Sequence, residues 1–172
     1  MFLIFDTETT GLPKDFSAPI SDVQNWPRCI QLAWQLHDYS GELIETKNYI
    51  IRPDGFSIPY NSQKIHGIST ERAQTEGWPI ELVLKDFSKA LLQAKYFVGH
   101  NILFDLNIIF SEYFRLDDIY QIEKKGTFFI VKKENSIWRT LDTMTEKTAQ
   151  YCKILGGRGG KYKYPKLTEL YV

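Results

Sequence analysis

Three acidic side chains have the types and spacing that a divalent-metal site needs. Asp6 and Glu8 stand two positions apart in the segment Phe5-Asp6-Thr7-Glu8-Thr9-Thr10-Gly11, and Asp105 lies in a later apolar segment. Side chains two positions apart on a strand point the same way, so Asp6 and Glu8 are expected to project together. Such carboxylates repel unless a positive charge lies between them, and hard oxygen ligands suit Mg²⁺ or Mn²⁺. The alternative is a pair of solvated acids at a turn.

Two predicted strands place these acids at one edge of a sheet. Residues 2–5 are four consecutive apolar residues, typical of a strand that is buried on both faces, and Gly11 and Pro13 follow as breakers. Residues 96–101 are predicted as another short buried strand. Sites in parallel sheets gather where strands end, so this edge is the expected location of a site.

The segment after the second strand predicts a helix that carries the third acid. Apolar residues fall at 102, 103, 106, 109 and 110, which is helical spacing. Asp105 falls in the first turn, where a carboxylate gains from the helix dipole. Stabilising the helix start is therefore its alternative role. Taken with Asp6 and Glu8 at the end of the other strand, it makes a three-carboxylate metal site the stronger interpretation.

Three segments resemble the DEDD family of 3′–5′ exonucleases. The segment Phe5-Asp6-Thr7-Glu8-Thr9-Thr10-Gly11-Leu12 is similar to the family's first motif, and Gly99-His100-Asn101-Ile102-Leu103-Phe104-Asp105 to its second. Lys64-Ile65-His66-Gly67-Ile68-Ser69 resembles a segment of the DnaQ-like branch, which contains the proofreading epsilon subunit of bacterial DNA polymerase III. The order and spacing agree from residue 1 to about residue 171. The resemblance implies an α/β fold of the ribonuclease-H-like type, a mixed central sheet flanked by helices.

The resemblance also implies a chemistry and a set of catalytic residues. Asp6, Glu8 and Asp105 would hold two Mg²⁺ or Mn²⁺ ions at the scissile phosphate of a nucleic-acid 3′ end. One ion would lower the pKa of the attacking water, and the other would stabilise the leaving 3′ oxygen. The products would be nucleoside 5′-monophosphates.

The same resemblance implies where the substrate lies. Backbone groups at Thr9, Thr10 and Gly11 would meet the terminal 3′-hydroxyl, and Leu12 would lie against the terminal base. The remaining substrate-binding candidates are His66, Asn101 and Phe104. Ordinary core packing is the alternative for Phe104, and holding its own loop is the alternative for His66. For Asp142, at the end of a later strand, helix capping is the preferred role.

One family feature is absent from this sequence. The family has a third motif, in which a His followed five residues later by an Asp supplies the general base and a fourth acid. The histidines of this chain are His37, His66 and His100, and none belongs to such a pair. We therefore expect a single domain over residues 1–172 that is truncated before its last catalytic helix. The alternative is a natural short form that binds without cutting.

The rest of the chain is predicted coarsely. A loop is expected over 14–28, then a hairpin of strands 29–39 and 43–52, the first alternating apolar and polar residues. Helices are predicted over 61–66, 70–75 and 79–94, the last beginning at Pro79. A small hairpin is expected within 119–135, then a strand over 137–141 and a helix over 143–155. The basic, aromatic segment 156–164 is a candidate path for a nucleic-acid backbone, with a surface connector as the alternative.

Composition is that of a single enzyme domain. The 172 residues are 43% hydrophobic and 15% aromatic, which excludes general disorder, and the formal net charge is zero. Cys29 and Cys152 lack metal-ligand spacing, so two free thiols in a cytoplasmic protein are expected. We expect DNA 3′ ends, single-stranded or frayed, as the substrate, with RNA as an alternative and a DNA polymerase subunit as a partner. The competing hypothesis is a non-catalytic module that binds nucleic-acid ends or docks on a polymerase.

Overall fold

A seven-stranded mixed sheet organises the chain in the computed structural model, which describes residues 1–116, 122–125, 128–131 and 136–170. The spatial order is β3-β2-β1-β4-β7-β6-β5. The strands are β1 Phe2–Thr9, β2 Cys29–His37, β3 Leu43–Ile50, β4 Tyr96–Gly99, β5 Ile122–Lys125, β6 Phe128–Val131 and β7 Ser136–Asp142. Strands β1, β4 and β7 are parallel, and the other pairs are antiparallel. The predicted mixed sheet and the predicted small hairpin, now β5–β6, are confirmed.

Five helices are present in the described part of the chain, at positions close to those predicted. They are α1 Tyr60–His66, α2 Thr70–Glu76, α3 Ile80–Gln93, α4 Ile102–Arg115 and α5 Glu146–Cys152. The prediction that Pro79 is the first helical residue was wrong, because Pro79 is the N-cap of α3. The predicted helix over 143–155 was too long. The Thr145 hydroxyl accepts the Thr148 N–H as an N-cap, and Lys153 ends α5 in the left-handed conformation at φ 52°.

The prediction that the first strand is buried on both faces was wrong. In β1, Leu3, Phe5 and Thr7 are buried, whereas Ile4 is 40% exposed and Asp6 is also exposed. An unbroken apolar run carries no alternation, so it does not tell a one-sided strand from a two-sided one. Strand β4 was also predicted too long, because it ends at Gly99 and Asn101 turns into α4 with φ 64°.

The core lies between one face of the sheet and helices α3 and α4. Phe87 of α3 packs edge-on against Phe5 of β1 and Trp34 of β2. Phe110 of α4 stacks on Trp138 of β7 at a centroid distance of 6.4 Å. The helices therefore fix one face of the sheet, which leaves the opposite face of β1 free to present polar groups.

A buried ion cluster fastens the loop after β1 to the far half of α4. Glu112 is 1% exposed and accepts hydrogen bonds from Arg28 Nε at 3.0 Å and from the Cys29 N–H at 2.9 Å. Arg115 lies 3.1 Å from the same carboxylate and donates to the carbonyls of Val23 and Trp26, both at 2.6 Å. The cluster holds the predicted loop 14–28 against α4.

The structure also places the two cysteines and shows the length of the helices. Cys29 is buried and Cys152 is half-buried, and both are free thiols as predicted. None of the helices in the described ranges is long and apolar enough to cross a membrane.

Candidate active site

The carboxyl end of β1 presents two acids on the face that the core helices leave open. Thr7 between them is buried, so Asp6 and Glu8 point away from the core by strand alternation. Asp6 is exposed and Glu8 is half-buried. The expectation that these two side chains project together is confirmed by the alternating burial of the strand.

Asp105 reaches the same strand from the first turn of α4. Strand β4 pairs with β1 only as far as Ile4, so no strand partner follows on that side of β1. The Asp105 carboxylate takes this place. Its Oδ1 accepts the Thr7 N–H at 2.9 Å and the Thr7 hydroxyl at 2.6 Å. The structure therefore brings Asp105, which is 3% exposed, to the strand that carries Asp6 and Glu8.

Asp142 sets the turn that aims Asp105. Its Oδ1 accepts the N–H of Asn101 at 2.8 Å and that of Met144 at 2.7 Å. Asn101 is the left-handed residue immediately before α4, so this carboxylate fixes the direction in which the helix starts. The observed contacts agree with the preferred capping role of Asp142, with the qualification that it holds α4 rather than the helix that follows it in sequence.

Repulsion links the three acids electrostatically. Burial raises the pKa of Asp105 to about 7; the hydrogen bonds from Thr7 oppose this rise, and the charge of Asp6 adds to it. Desolvation also raises the pKa of Asp6, although nearby His100 opposes it. The pKa of Glu8 is raised by desolvation and by Asp6. Asp6 is thus the centre of a set of carboxylates with too little positive charge around it.

The chemistry of this donor set fits a hard divalent cation. Carboxylate oxygens are the ligands that Mg²⁺ and Mn²⁺ prefer, and a cation there would relieve the mutual repulsion. The three acids are not, however, drawn together as one ligand group. Within the ranges that the structure describes, no three His, Cys, Asp or Glu side chains are placed to hold a metal ion. The fit is therefore one of donor type and electrostatics.

The loop after Glu8 is held at Thr10 from two sides. The Thr10 N–H donates to the Arg28 carbonyl and the Arg28 N–H donates to the Thr10 hydroxyl, both at 3.0 Å. The Ser62 hydroxyl of α1 donates to the Thr10 carbonyl at 2.8 Å. These contacts leave the next residues open. Gly11 has φ 153° with no atom near the position of a Cβ, and Leu12 is 73% exposed.

His66 lies on the same helix as Ser62, one turn further along. Its Nδ1 accepts the Ile68 N–H at 3.1 Å, which places the ring proton on Nε2. That Nε2 is buried and has no partner among the described residues, and burial lowers the pKa of the ring. His66 is therefore a neutral ring with an unused donor. Its Nδ1 contact also holds the loop after α1, the alternative role considered from sequence.

The two other substrate-binding candidates have structural contacts. Phe104 is half-buried and packs against the main core. Asn101 is half-buried, and its backbone N–H is taken by Asp142. Neither contact tests a substrate role, so both remain predictions.

A cavity of about 430 Å³ opens beside the acids on the face of the sheet that α3 and α4 do not cover. Its wall includes Asp6, Gly99, His100, Thr143 and Leu167. His100 Nδ1 and Thr143 Oγ1 are 3.0 Å apart, which ties the turn after β4 to the turn after β7. The open face of the sheet thus offers the carboxylate of Asp6 together with room for a ligand.

Similarity to known proteins shows the family of this chain. A model of the exonuclease (RNase T) family matches residues 3–171. The chain belongs to this exonuclease family. The resemblance found in the motifs is therefore confirmed at the level of the DEDD superfamily, whose members generally use divalent metal ions.

Individual relatives match this chain at modest sequence identity and over only part of their own length. The 3′–5′ exonuclease DinG of Bacillus subtilis is 32% identical over 108 residues, which are 63% of this chain and 10% of DinG. E. coli exonuclease I in complex with a dA16 oligonucleotide aligns with 98% of this chain and 34% of its own, at TM-score 0.62 and 18% identity. A product-bound exonuclease I gives TM-score 0.58 and 19% identity over 92% of this chain and 33% of its own. The chain thus spans about a tenth of DinG and about a third of exonuclease I, and the predicted ribonuclease-H-like fold is confirmed.

Proposed function

We propose that this chain removes nucleoside 5′-monophosphates from DNA 3′ ends, by a hydrolysis that depends on two Mg²⁺ or Mn²⁺ ions. The observation that supports it most is that the charge of Asp6, at the carboxyl end of β1, acts both on Glu8 of the same strand and on Asp105, in the first turn of the helix that follows the adjacent parallel strand. Single-stranded or frayed DNA is the proposed substrate, with RNA as the alternative. The DNA choice is supported by the likeness to exonuclease I, which has been seen bound to an oligonucleotide.

The three acids share one task in this proposal, and Thr7 supports it. Asp6, Glu8 and Asp105 would hold the ions, which when bound activate the attacking water and stabilise the leaving 3′ oxygen. Asp105 must be ionised to act as a ligand, yet its pKa of about 7 leaves much of it protonated near neutral pH. The two donors of Thr7 favour the ionised form and keep Oδ1 in place. Thr7 is therefore the positioning residue of the site.

The substrate end is proposed to lie on the loop after Glu8. Thr9, Thr10 and Gly11 would meet the terminal 3′-hydroxyl through backbone groups, since Thr10 is held in place and Gly11 allows close approach. Exposed Leu12 would cover the terminal base. The unused Nε2 proton of His66 is a donor for the same nucleotide, and Asn101 and Phe104 complete the proposed contacts.

The biological setting follows from the resemblance. We place the chain with proofreading or repair nucleases of the cytoplasm, acting with a DNA polymerase subunit, and we treat residues 1–172 as one exonuclease domain. Co-purification of a polymerase subunit with the tagged chain is the expected result. Recovery of the chain without one would contradict this setting and would leave the nuclease proposal intact.

Digestion of a 5′-labelled single-stranded oligonucleotide with Mn²⁺ tests the activity. Wild type should give a ladder that shortens from the 3′ end, and EDTA or Asp6→Asn should abolish it. Asp54→Asn is the matched control, because this exposed loop acid lies outside the site.

Each outcome separates the competing hypotheses. A ladder that persists in Asp6→Asn would contradict the assigned acids. Absence of a ladder in wild type, with binding of the 3′ end retained, would favour either a chain that is inactive because it lacks the third motif or the non-catalytic end-binding module. A labelled RNA of the same sequence, digested in parallel, decides between the two proposed substrates.

A further inference from the structure

A second surface, which does not include the three acids, combines exposed tyrosines with lysines and arginine. It is formed by helix α5 and residues 153–170, including the loop 153–164, and we call it the α5 surface. Tyr151 is 76% exposed, Tyr162 41% and Tyr164 52%. Large aromatic side chains this exposed and this close in sequence point to a ligand that uses ring faces.

The α5 surface carries a local excess of positive charge. Residues 146–170 contain six cationic side chains and two acidic ones, in a chain whose formal net charge is zero. The cations are Lys147, Lys153, Arg158, Lys161, Lys163 and Lys166, and the acids are Glu146 and Glu169. The rest of the molecule therefore carries the matching negative excess, and an anionic ligand would prefer this face.

The cations of this surface differ in how far they are already neutralised. Lys163 Nζ lies 2.8 and 3.1 Å from the two oxygens of Glu169, so its charge serves the fold. Lys161 Nζ is 3.8 Å from Glu146 Oε1, and both side chains are exposed, so that pair is weak. Arg158 is exposed and has no hydrogen bond or ion pair with a described residue. Arg158 and Lys161 are thus exposed cations of the loop that remain available to a ligand.

The loop has a defined shape and encloses a cavity of about 680 Å³ against α5. The Lys163 N–H donates to the Ile154 carbonyl at 2.9 Å, which closes the base of the loop. A Cβ at Gly157 would collide with the carbonyl oxygens of Lys161 and Tyr162, so the loop backbone packs on itself. Arg158, Lys161, Tyr162 and Tyr164 line the cavity together.

A short stretch of chain connects this cavity to the one lined by Asp6. Tyr164 lines the α5 cavity and Leu167 lines the cavity at Asp6, so three chain steps join the two walls. At the other end, α5 begins four residues after Asp142, the residue that holds the start of α4. A strand whose 3′ end lies at Asp6 would therefore have the α5 surface within reach of its upstream nucleotides.

We propose that the α5 surface binds single-stranded nucleic acid upstream of the 3′ end, an inference that rests on the nuclease function proposed above. Arg158 and Lys161 contact backbone phosphates, and Tyr162 and Tyr164 stack on unpaired bases. Stacking of this kind needs separated bases, so the surface prefers single strands to duplexes. It lengthens the contact with a substrate that the acid site alone grips only at its end.

Fluorescence anisotropy with labelled oligothymidylates tests the proposal. Binding is measured in EDTA, where metal-dependent digestion cannot occur, with one long oligothymidylate, one trinucleotide and a duplex. Arg158→Ala/Lys161→Ala should reduce affinity for the long strand about tenfold, because two phosphate contacts are lost. The slope of the logarithm of the association constant against the logarithm of the salt concentration should become less steep by about 1.4. Tyr162→Leu/Tyr164→Leu should reduce long-strand affinity by about tenfold with little change in salt dependence.

The matched control is Lys85→Ala/Lys95→Ala. It removes two exposed lysines, one on α3 and one just before β4, and should leave binding unchanged. Trinucleotide affinity should be the same in all variants. Unchanged long-strand affinity in Arg158→Ala/Lys161→Ala, equal losses in the lysine control, or no binding of the long strand by wild type would each overturn the proposal.

Digestion assays with Mn²⁺ keep this proposal separate from the nuclease function. If wild type digests 3′ ends and Arg158→Ala/Lys161→Ala binds the long strand as wild type does, the α5 surface is wrong and the nuclease stands. If wild type digests nothing but the variant loses long-strand binding, the surface stands and the nuclease proposal fails.

Discussion

Helix α4 carries two buried acids, seven residues apart on one face, whose surroundings differ sharply. Glu112 is 1% exposed and is met by two arginines and a backbone N–H. Asp105 is 3% exposed, and its hydrogen-bond donors belong to the uncharged Thr7. The charged group that acts on its pKa is another acid, Asp6. Burial alone therefore does not distinguish the acid of the proposed site from the structural one. The lack of a counter-charge does.

The compensated acid still serves the site indirectly. Glu112 holds Arg28, and the backbone of Arg28 exchanges two hydrogen bonds with Thr10, on the loop that follows Glu8. One half of α4 thus supplies a carboxylate to the acid set, and the other half anchors the loop beside it. The same helix couples the catalytic and substrate-binding parts of the proposed site.

Removing the compensated acid should have the largest effect. Glu112→Ala leaves two partly buried arginines without their carboxylate partner, and we expect a loss of about 3–5 kcal/mol in the free energy of unfolding. Urea denaturation measures it, with Glu112→Gln expected to lose less because it keeps an acceptor oxygen. The exposed pair Arg72–Glu76 is the control, and Glu76→Ala should cost less than about 1 kcal/mol. Equal losses at the two positions would contradict the comparison.

Neutralising the uncompensated acid should affect activity rather than stability. Asp105→Asn keeps an oxygen for both Thr7 donors but removes the charge, so we expect the rate of 3′-end digestion to fall about 10²- to 10³-fold. Its unfolding free energy in EDTA at neutral pH should equal or exceed that of wild type, since a buried charge is lost. Steady-state digestion and urea denaturation of the same preparation check both statements. A destabilised but active variant would reverse the assigned roles.

The pH dependence of stability should carry the signature of Asp105. Its pKa is about 7 when folded and 3.8 when unfolded, so the folded state binds the extra proton between these values. Its contribution to stability is therefore fully present below the unfolded pKa, is lost as pH rises through about 7, and is constant well above that. Relative to wild type, Asp105→Asn should gain about 2 kcal/mol in the free energy of unfolding between about pH 5 and pH 7. Urea denaturation in EDTA at several pH values measures this difference, and parallel profiles would refute it.

The sequence predicted those parts of the site that depend on local patterns. Alternation in β2 and helical spacing in α4 correctly placed Trp34 in the core and Asp105 in a first turn. The apolar run at the start of β1 led to the wrong prediction of a strand buried on both faces. The run lacks alternation, so it gave no sign of the open face on which Ile4 and Asp6 lie. Local patterns therefore located the acids but not the surface on which they stand.

The contacts that distinguish the two acids of α4 are not local. Thr7 and Asp105 are 98 residues apart, and Arg28 and Glu112 are 84 apart, so no sequence window contains either pair. One feature of the sequence could have indicated the buried ion cluster. Glu112 falls on the same helix face as Asp105, where the spacing predicts apolar residues, and an acid at such a position implies a buried partner. Which partner it has, a cation or a hydroxyl, only the fold decides.

The smallest predicted effect concerns the hydroxyl that steadies Asp105. Thr7→Val keeps the backbone N–H donor and removes the 2.6 Å hydrogen bond, with a cost of about 1 kcal/mol in unfolding free energy at neutral pH. Because that hydroxyl lowers the pKa of Asp105, its loss should raise this pKa further and move the acidic limb of the pH–rate profile to higher pH. Thr7→Ser retains a hydroxyl and should keep the wild-type limb. If the valine and serine variants share one profile, the Thr7 hydroxyl has no part in setting the ionisation of Asp105, and the backbone N–H of Thr7 and helix α4 hold the carboxylate without it.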